Sequence, residues 1–454
     1  MLPKASATRT FLILCLGAVL APLDAMVNVA FPALTQGLGL EVADIRWVII
    51  AYALTYSSLA LVSGRIGDLY GHRRVFRAGL IVAALAFSGC AVAPDNGWLL
   101  AARVLQGVGI ALLLGSALAL ALAAYPATRR TEVLARYAAV LAVALAVGPV
   151  VGGLLVDGFG WRSVFWSRAP IALAALVLLS RIPEVPVRGG TRAFDTAGAA
   201  LLIGWMSALV LALASPVEIA LPLAVVACVG AWFFVRHESR IASPILRPAL
   251  FRDARFSILN LASIAVNFAG FTVFLLGPYF FARVSGFSAQ SIGLLLACGP
   301  AGAALGAALT ARLVMRFGAG RLAFAGAALS VSGVVIATGW SAGTSGIAMA
   351  VTLFVQGAGI GVFQVAYTDV VVAALPEEDR GVASSLANLT RTLGVLACAT
   401  LVSALFRRVE AGALIDGLGG EAAFLYAFRV SFLCAAIGLG GFLAATLLRP
   451  KTWR

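Results

Sequence analysis

The chain has 454 residues, 62% of them hydrophobic and only 11% charged, and carries a formal net charge of +14. A soluble domain cannot cover that much apolar surface, so the composition predicts an all-α polytopic membrane protein. It also argues against nucleic acid as the partner of the positive charge, which is read as loop charge facing anionic lipid head groups. Runs of about 20 mainly apolar residues place helices at 10–31, 45–63, 75–93, 98–124, 133–156, 163–181 and 195–214. They continue at 217–236, 256–282, 290–314, 321–340, 345–374, 382–406 and 423–447, giving fourteen expected spans. The first run follows Lys4 and Arg9 but continues past Asp24 to Pro32 without a small-residue cleavage site. It is therefore read as a retained span rather than a signal peptide.

An even number of spans puts both termini on one side, and the basic residues choose the side. With the N-terminus inside, 24 Lys and Arg fall on inner segments and six outside: Arg46, Arg162, Arg168, Arg283, Arg407 and Arg408. Arg103, Arg391 and Arg429 stay within spans. This asymmetry predicts cytoplasmic termini in a bacterial-type inner membrane.

The chain repeats itself weakly. Gln106-Gly107-Val108-Gly109-Ile110 in the fourth span recurs as Gln356-Gly357-Ala358-Gly359-Ile360 in the twelfth. The loop Gly64–Arg74, GRIGDLYGHRR, has a degraded copy 247 positions later, where Gly318 answers Gly71 and Met315 answers Asp68. Two six-helix bundles, 1–181 and 256–454, then account for twelve spans. Residues 182–255 hold two inserted helices and a basic interfacial connector. Parallel repeats of this kind bracket a central cavity in transporters.

Several stretches resemble the major facilitator superfamily and, within it, the fourteen-helix drug:proton antiporter branch. The loop Gly64–Arg74 is similar to G-x-x-x-D-x-x-G-R-[RK]-[RK], with His72 in place of the usual Arg. Leu23–Pro32 is similar to L-D-x-T-[IV]-V-N-V-A-[LF]-P, with Met26 in place of Thr. Arg103–Gly107 matches R-x-x-Q-G, and Gly148–Gly153 matches the antiporter motif G-P-x-x-G-G. Trp161–Pro170 resembles W-R-W-x-F-x-x-N-x-P, departing at Ser163 and at Arg168. The resemblance implies a multidrug-efflux type of permease that exchanges a small hydrophobic or amphipathic compound for protons by alternating access, without a cofactor and working as a monomer.

Asp24 is the first candidate for proton coupling, because a carboxylate within a span is costly and functional by default. Arg103 is its expected partner, both lying about 8–10 Å below the outer ends of their helices. Burial favours the neutral carboxyl and a nearby guanidinium favours the charged one, so the opposing effects leave room for proton exchange. A static structural ion pair is the alternative. Gly64, Asp68, Gly71, Arg73 and Arg74 are read as a gating loop at the inner face, or as a basic turn that only sets topology. Gly148, Pro149, Gly152 and Gly153 combine a helix breaker with small residues and are read as an antiporter hinge, or as plain packing. Asn28, Gln106, Gln364, Tyr367 and Arg391 are candidate cavity-lining residues.

Six scattered cysteines and two histidines, His72 and His237, give no metal or catalytic constellation, so no enzyme activity is expected. A proton-coupled symporter or uniporter of a small metabolite is the alternative function. A sensor or scaffold would be expected to add a soluble domain.

Overall fold

The computed structural model describes residues 4–180, 195–215, 217–241, 248–374 and 380–453. They form helices joined by short turns. In order these are α1 (Lys4–Ala18), α2 (Ala25–Leu38), α3 (Ile45–Tyr70), α4 (His72–Ala91), α5 (Asn96–Ala123), α6 (Arg130–Phe159), α7 (Ser163–Trp166) and α8 (Arg168–Leu179). Then follow α9 (Thr196–Ala214), α10 (Val217–Glu238), α11 (Ala254–Arg283), α12 (Ala289–Phe317), α13 (Ala319–Thr338), α14 (Gly346–Ala374), α15 (Arg380–Ile415) and α16 (Gly420–Leu447). The chain divides into two compact units, Met1–Leu40 with Trp47–Ile203, and Glu41–Arg46 with Gly204–Arg454.

Among the described residues twelve helices are long and apolar enough to cross a membrane, and a bent pair, Val42–Ala60 with Val62–Tyr70, raises the number to thirteen. The expectation of fourteen spans is corrected on this point. The sixth expected span, 163–181, is a shorter apolar run, Ser163–Leu179, divided into α7 and α8. At 1.5 Å per residue a run of that length rises roughly 26 Å, less than the hydrocarbon core of about 30 Å. Its charged residue, Arg168, is turned into the first unit instead of lying in a loop.

The first span is not continuous. It covers Ala7–Leu38, but α1 ends at Ala18 and a 3-10 turn over Pro22–Asp24 leads into α2. Pro22 has no N–H to continue the α ladder. The neighbouring amides find tighter partners: Ala21 N–H donates to Ala18 O at 3.3 Å and Asp24 N–H to Ala21 O at 3.1 Å. The break is thus satisfied by its own backbone, as a membrane interior requires.

Each unit packs helices through glycines, and the packing repeats. In the first unit a Cβ on Gly79 of α4 would lie 3.0 Å from Gly109 O of α5. In the second, a Cβ on Gly326 of α13 would lie 2.8 Å from Gly359 O of α14. These pairs stand at the offsets read from the sequence repeat. The turn entering α4 has Gly71 at φ +91°, and the turn entering α13 has Gly318 at φ +82°, a region closed to residues with a Cβ unless strained.

The core of the first unit gathers Phe11, Phe76, Phe87, Ile110 and Leu113. The second unit stacks Phe428 on Phe432 at 4.3 Å between centroids and on Phe280 at 4.8 Å, with Trp340 beside them. Other helices keep their apolar residues outside. Only 11% of the apolar window of α10 is buried, and Leu221, Val225 and Trp232 are exposed on it, a surface suited to lipid rather than water.

Candidate functional site

The break in the first span sets the carboxylate of Asp24 at the point where α2 begins. Three side chains from two other helices converge on it, all within the first unit. Arg103 of α5 grips both oxygens, Nη1 donating to Oδ1 at 2.7 Å and Nη2 to Oδ2 at 3.0 Å. Gln106, one turn further along α5, donates its Nε2 to Oδ1 at 2.8 Å. The R-x-x-Q spacing is what aims both residues at one point, since residues three apart share a helix face. Arg168 at the start of α8 donates Nη1 to the same Oδ1, also at 2.7 Å. Asp24 is 14% exposed, while Arg103, Gln106 and Arg168 are 2%, 0% and 0% exposed.

The donors are themselves fixed. Arg103 Nε donates to Val48 O of α3 at 3.1 Å, Nη1 also donates to Gln106 Oε1 at 3.0 Å, and the guanidinium lies 4.5 Å above the Tyr52 ring. Arg168 Nε donates to Val164 O at 2.8 Å, and its guanidinium lies over Phe87 and Phe165 at 4.6 and 5.2 Å. Bidentate and aromatic-stacked guanidiniums are held in one geometry, which a lysine cannot reproduce.

The glycines of α6 back this turn. A Cβ on Gly148 would lie 3.6 Å from Ala25 Cβ and 3.7 Å from Leu23 Cα. On Gly152 it would lie 2.9 Å from Met26 Cα, too close for any side chain. Pro149 sits inside α6 between them, and Gly148, Pro149, Gly152 and Gly153 are all buried. These positions lie against the Asp24-bearing segment. Gly107 does the same for α3, where a Cβ would come 2.9 Å from Tyr52 O.

In the loop Gly64–Arg74, Asp68 pairs with His72 one turn on, Oδ1 to Nε2 at 3.0 Å, and the buried imidazole lies over Gly67. Arg73 Nη2 donates to Leu179 O of α8 at 3.0 Å, while Arg74 is exposed. Asn28 and Gln364 are half-buried and Arg391 is exposed. Tyr367, expected to line a cavity, is fully buried: its O–H donates to Asn260 Oδ1 at 2.8 Å, and Thr390 lies 3.4 Å away. Thr390 in turn meets Ser263 at 2.9 Å. Gln106, also expected in the cavity lining, belongs to the Asp24 cluster.

Arg168 is the residue that sequence reasoning assigned elsewhere, to an outer loop. The available signal was a charge within the apolar stretch 163–181, at the position where the resembled motif has Asn. Among the described residues no group of three or more His, Cys, Asp or Glu is placed to hold a metal ion.

The family profile described as Major Facilitator Superfamily matches residues 13–397 and, separately, 258–453. The methylenomycin A resistance protein of Bacillus subtilis is 32% identical over 403 residues, covering 85% of this chain and 84% of that protein. The multidrug resistance protein Stp of Mycobacterium tuberculosis is 30% identical over 387 residues, covering 84% of this chain and 72% of that protein. Among solved structures, a bacterial homologue of the human lysosomal transporter Spinster, inward-facing and unoccupied, superposes with a TM-score of 0.75. At 18% identity, over 100% of this chain and 98% of that one, the likeness concerns the fold alone. With the family matched over most of its length and resistance proteins among its relatives, the chain belongs to the Major Facilitator Superfamily, a family of multi-pass membrane transporters.

Proposed function

We propose that the chain exports small hydrophobic or amphipathic compounds in exchange for protons, by alternating access, as a member of the superfamily's drug:proton antiporter branch. The names of the resistance proteins support the export reading, and the buried carboxylate supports the coupling. Asp24 accepts hydrogen bonds on both oxygens from guanidiniums that have donors only. A proton on Asp24 has no acceptor in either arginine, so its arrival breaks at least one of these contacts. The turn at Pro22–Asp24 is then loosened from α5 or α8. A charge-governed clamp of this kind is a bistable element on which a proton can act.

The charge asymmetry of the loops supports an arrangement with both termini in the cytoplasm, in which the short run Ser163–Leu179 crosses a locally thinned bilayer, and we read the chain as a monomer. The loop with Asp68, Arg73 and Arg74 then lies at the inner face, where its contact with the end of α8 gives it a gating role. The two six-helix bundles with an inserted segment remain our reading of the domain organisation. An ion gradient is the energy source: each charge moving down 100 mV supplies about 2.3 kcal/mol.

The test uses energised inverted vesicles carrying the full chain, with internal pH followed by a quenched dye as compounds are added. Compound-dependent proton release by the wild type is expected, and Asp24→Asn should abolish it at unchanged expression. Wild-type behaviour of that variant sinks the coupling role of Asp24.

A further inference from the structure

The cluster around Asp24 is not electrically balanced. Two guanidiniums, Arg103 and Arg168, face one carboxylate, and both are at least 98% buried. The carboxylate is also heavily engaged: Oδ1 accepts from Arg103, Arg168 and Gln106, and Oδ2 accepts from Arg103. On the donor side, Nη2 of Arg168 is buried with no hydrogen-bond partner. What the cluster lacks is therefore an acceptor and a negative charge. Buried charge in a low-dielectric site acts over long distances and selects what approaches.

We propose that Arg168 makes this site select against cations and in favour of compounds that present an acceptor oxygen, singly charged oxyanions such as carboxylates first. The proposal deepens the export reading and rests on the Asp24 cluster being where the compound is recognised. A cation meets a net positive site whose one carboxylate is already held by both guanidiniums. An oxyanion supplies the missing counter-charge and can accept from Nη2 of Arg168 in a charge-assisted hydrogen bond. The most exposed member of the cluster is Asp24, so the compound approaches from its side. Exchanging an anion for an incoming proton carries net positive charge inward, the direction that an inside-negative potential drives. The surplus goes with a departure from the motif that the stretch resembles, which has Asn where this chain has Arg168.

The test is equilibrium dialysis of the purified full chain in lipid nanodiscs against three probes with one ring system: 1-naphthoate, 1-naphthamide and 1-naphthylmethylammonium. The wild type should bind naphthoate most tightly, naphthamide less so, and the ammonium on the order of ten-fold more weakly than naphthoate. Arg168→Gln should collapse that ranking, and Arg168→Lys, which keeps the charge, should preserve its order. A thermal melt of each variant separates loss of preference from loss of fold. Equal or tighter binding of the ammonium by the wild type overturns the proposal. So does failure of naphthoate to bind at millimolar concentration, or a naphthoate preference that survives in Arg168→Gln. Compound-dependent proton release in vesicles is read separately, so export of uncharged or cationic compounds would preserve the export reading while removing this one.

Discussion

Arg103 holds Asp24 with two parallel hydrogen bonds, Nη1 to Oδ1 at 2.7 Å and Nη2 to Oδ2 at 3.0 Å. That fork, together with Nε on Val48 O and the stack on Tyr52, uses the whole planar guanidinium. Lysine keeps the charge but presents a point donor that cannot span both oxygens. Arg103→Lys is therefore expected to lose at least about ten-fold in coupled transport while still reaching the membrane. Vesicle proton release, with the amount of folded protein measured by size-exclusion fluorescence, checks it. Near-wild-type rates in the lysine variant would mean that charge alone suffices.

Gly152 and Gly148 make a contrasted pair on α6. A methyl at Gly152 would collide with the Met26 backbone at 2.9 Å, whereas at Gly148 the nearest atom is at 3.6 Å, ordinary contact. Gly152→Ala must push α6 away from the turn that carries Asp24, at a cost of roughly 1–3 kcal/mol. It is expected to lower the melting temperature and to cut transport, while Gly148→Ala stays close to the wild type in both. Melting curves and vesicle transport of the two variants, run side by side, decide it. Equal effects would show that the close approach at Gly152 does not matter.

The sequence exposed Asp24 and Arg103 because each is a charge in an otherwise apolar run, and depth alone was enough to pair them. The repeat was equally legible, since Gly79 with Gly109 and Gly326 with Gly359 make the same contact in each unit. Arg168 was hidden for the opposite reason. It follows the loop residues Trp161 and Arg162 so closely that hydropathy cannot tell a loop arginine from a buried one. Its destination depends on Asp24, 144 positions away. The break at Pro22–Asp24 was masked by apolar residues on both sides, and the count of fourteen failed where an apolar stretch is too short to span. Hydropathy measures composition along the chain, whereas these features depend on where the backbone leaves its helix.

Tyr367 belongs to a buried polar network in the second unit. Its hydroxyl donates to Asn260 at 2.8 Å, linking α14 to α11, and the ring stacks on Phe363 with centroids 5.6 Å apart. Tyr367→Phe keeps the stack and leaves Asn260 Oδ1 without that donor, at a cost of about 1–3 kcal/mol. The expected outcome is a lower melting temperature with transport per folded molecule unchanged. A change in which compounds are exported, at unaltered stability, would instead place the hydroxyl in contact with substrate.

Gly71 and Gly318 provide a test of the repeated turn that is independent of the Asp24 cluster. Both enter a helix at positive φ, +91° before α4 and +82° before α13, and neither has an atom within 4 Å of an added Cβ. Space is therefore not the obstacle; backbone conformation is. An alanine at either position is strained by roughly 1–2 kcal/mol. Gly158, inside α6 and equally open, has no positive φ and serves as the control. Gly71→Ala and Gly318→Ala should each lower the melting temperature, and Gly158→Ala should leave it unchanged or raise it, as a glycine-to-alanine change within a helix ordinarily does. If the turn next to Asp68 also gates transport, Gly71→Ala will slow transport per folded molecule whereas Gly318→Ala, whose loop has Met315 in place of the aspartate, will not. Equal transport losses in the two variants would reduce the loop at Asp68 to a structural turn.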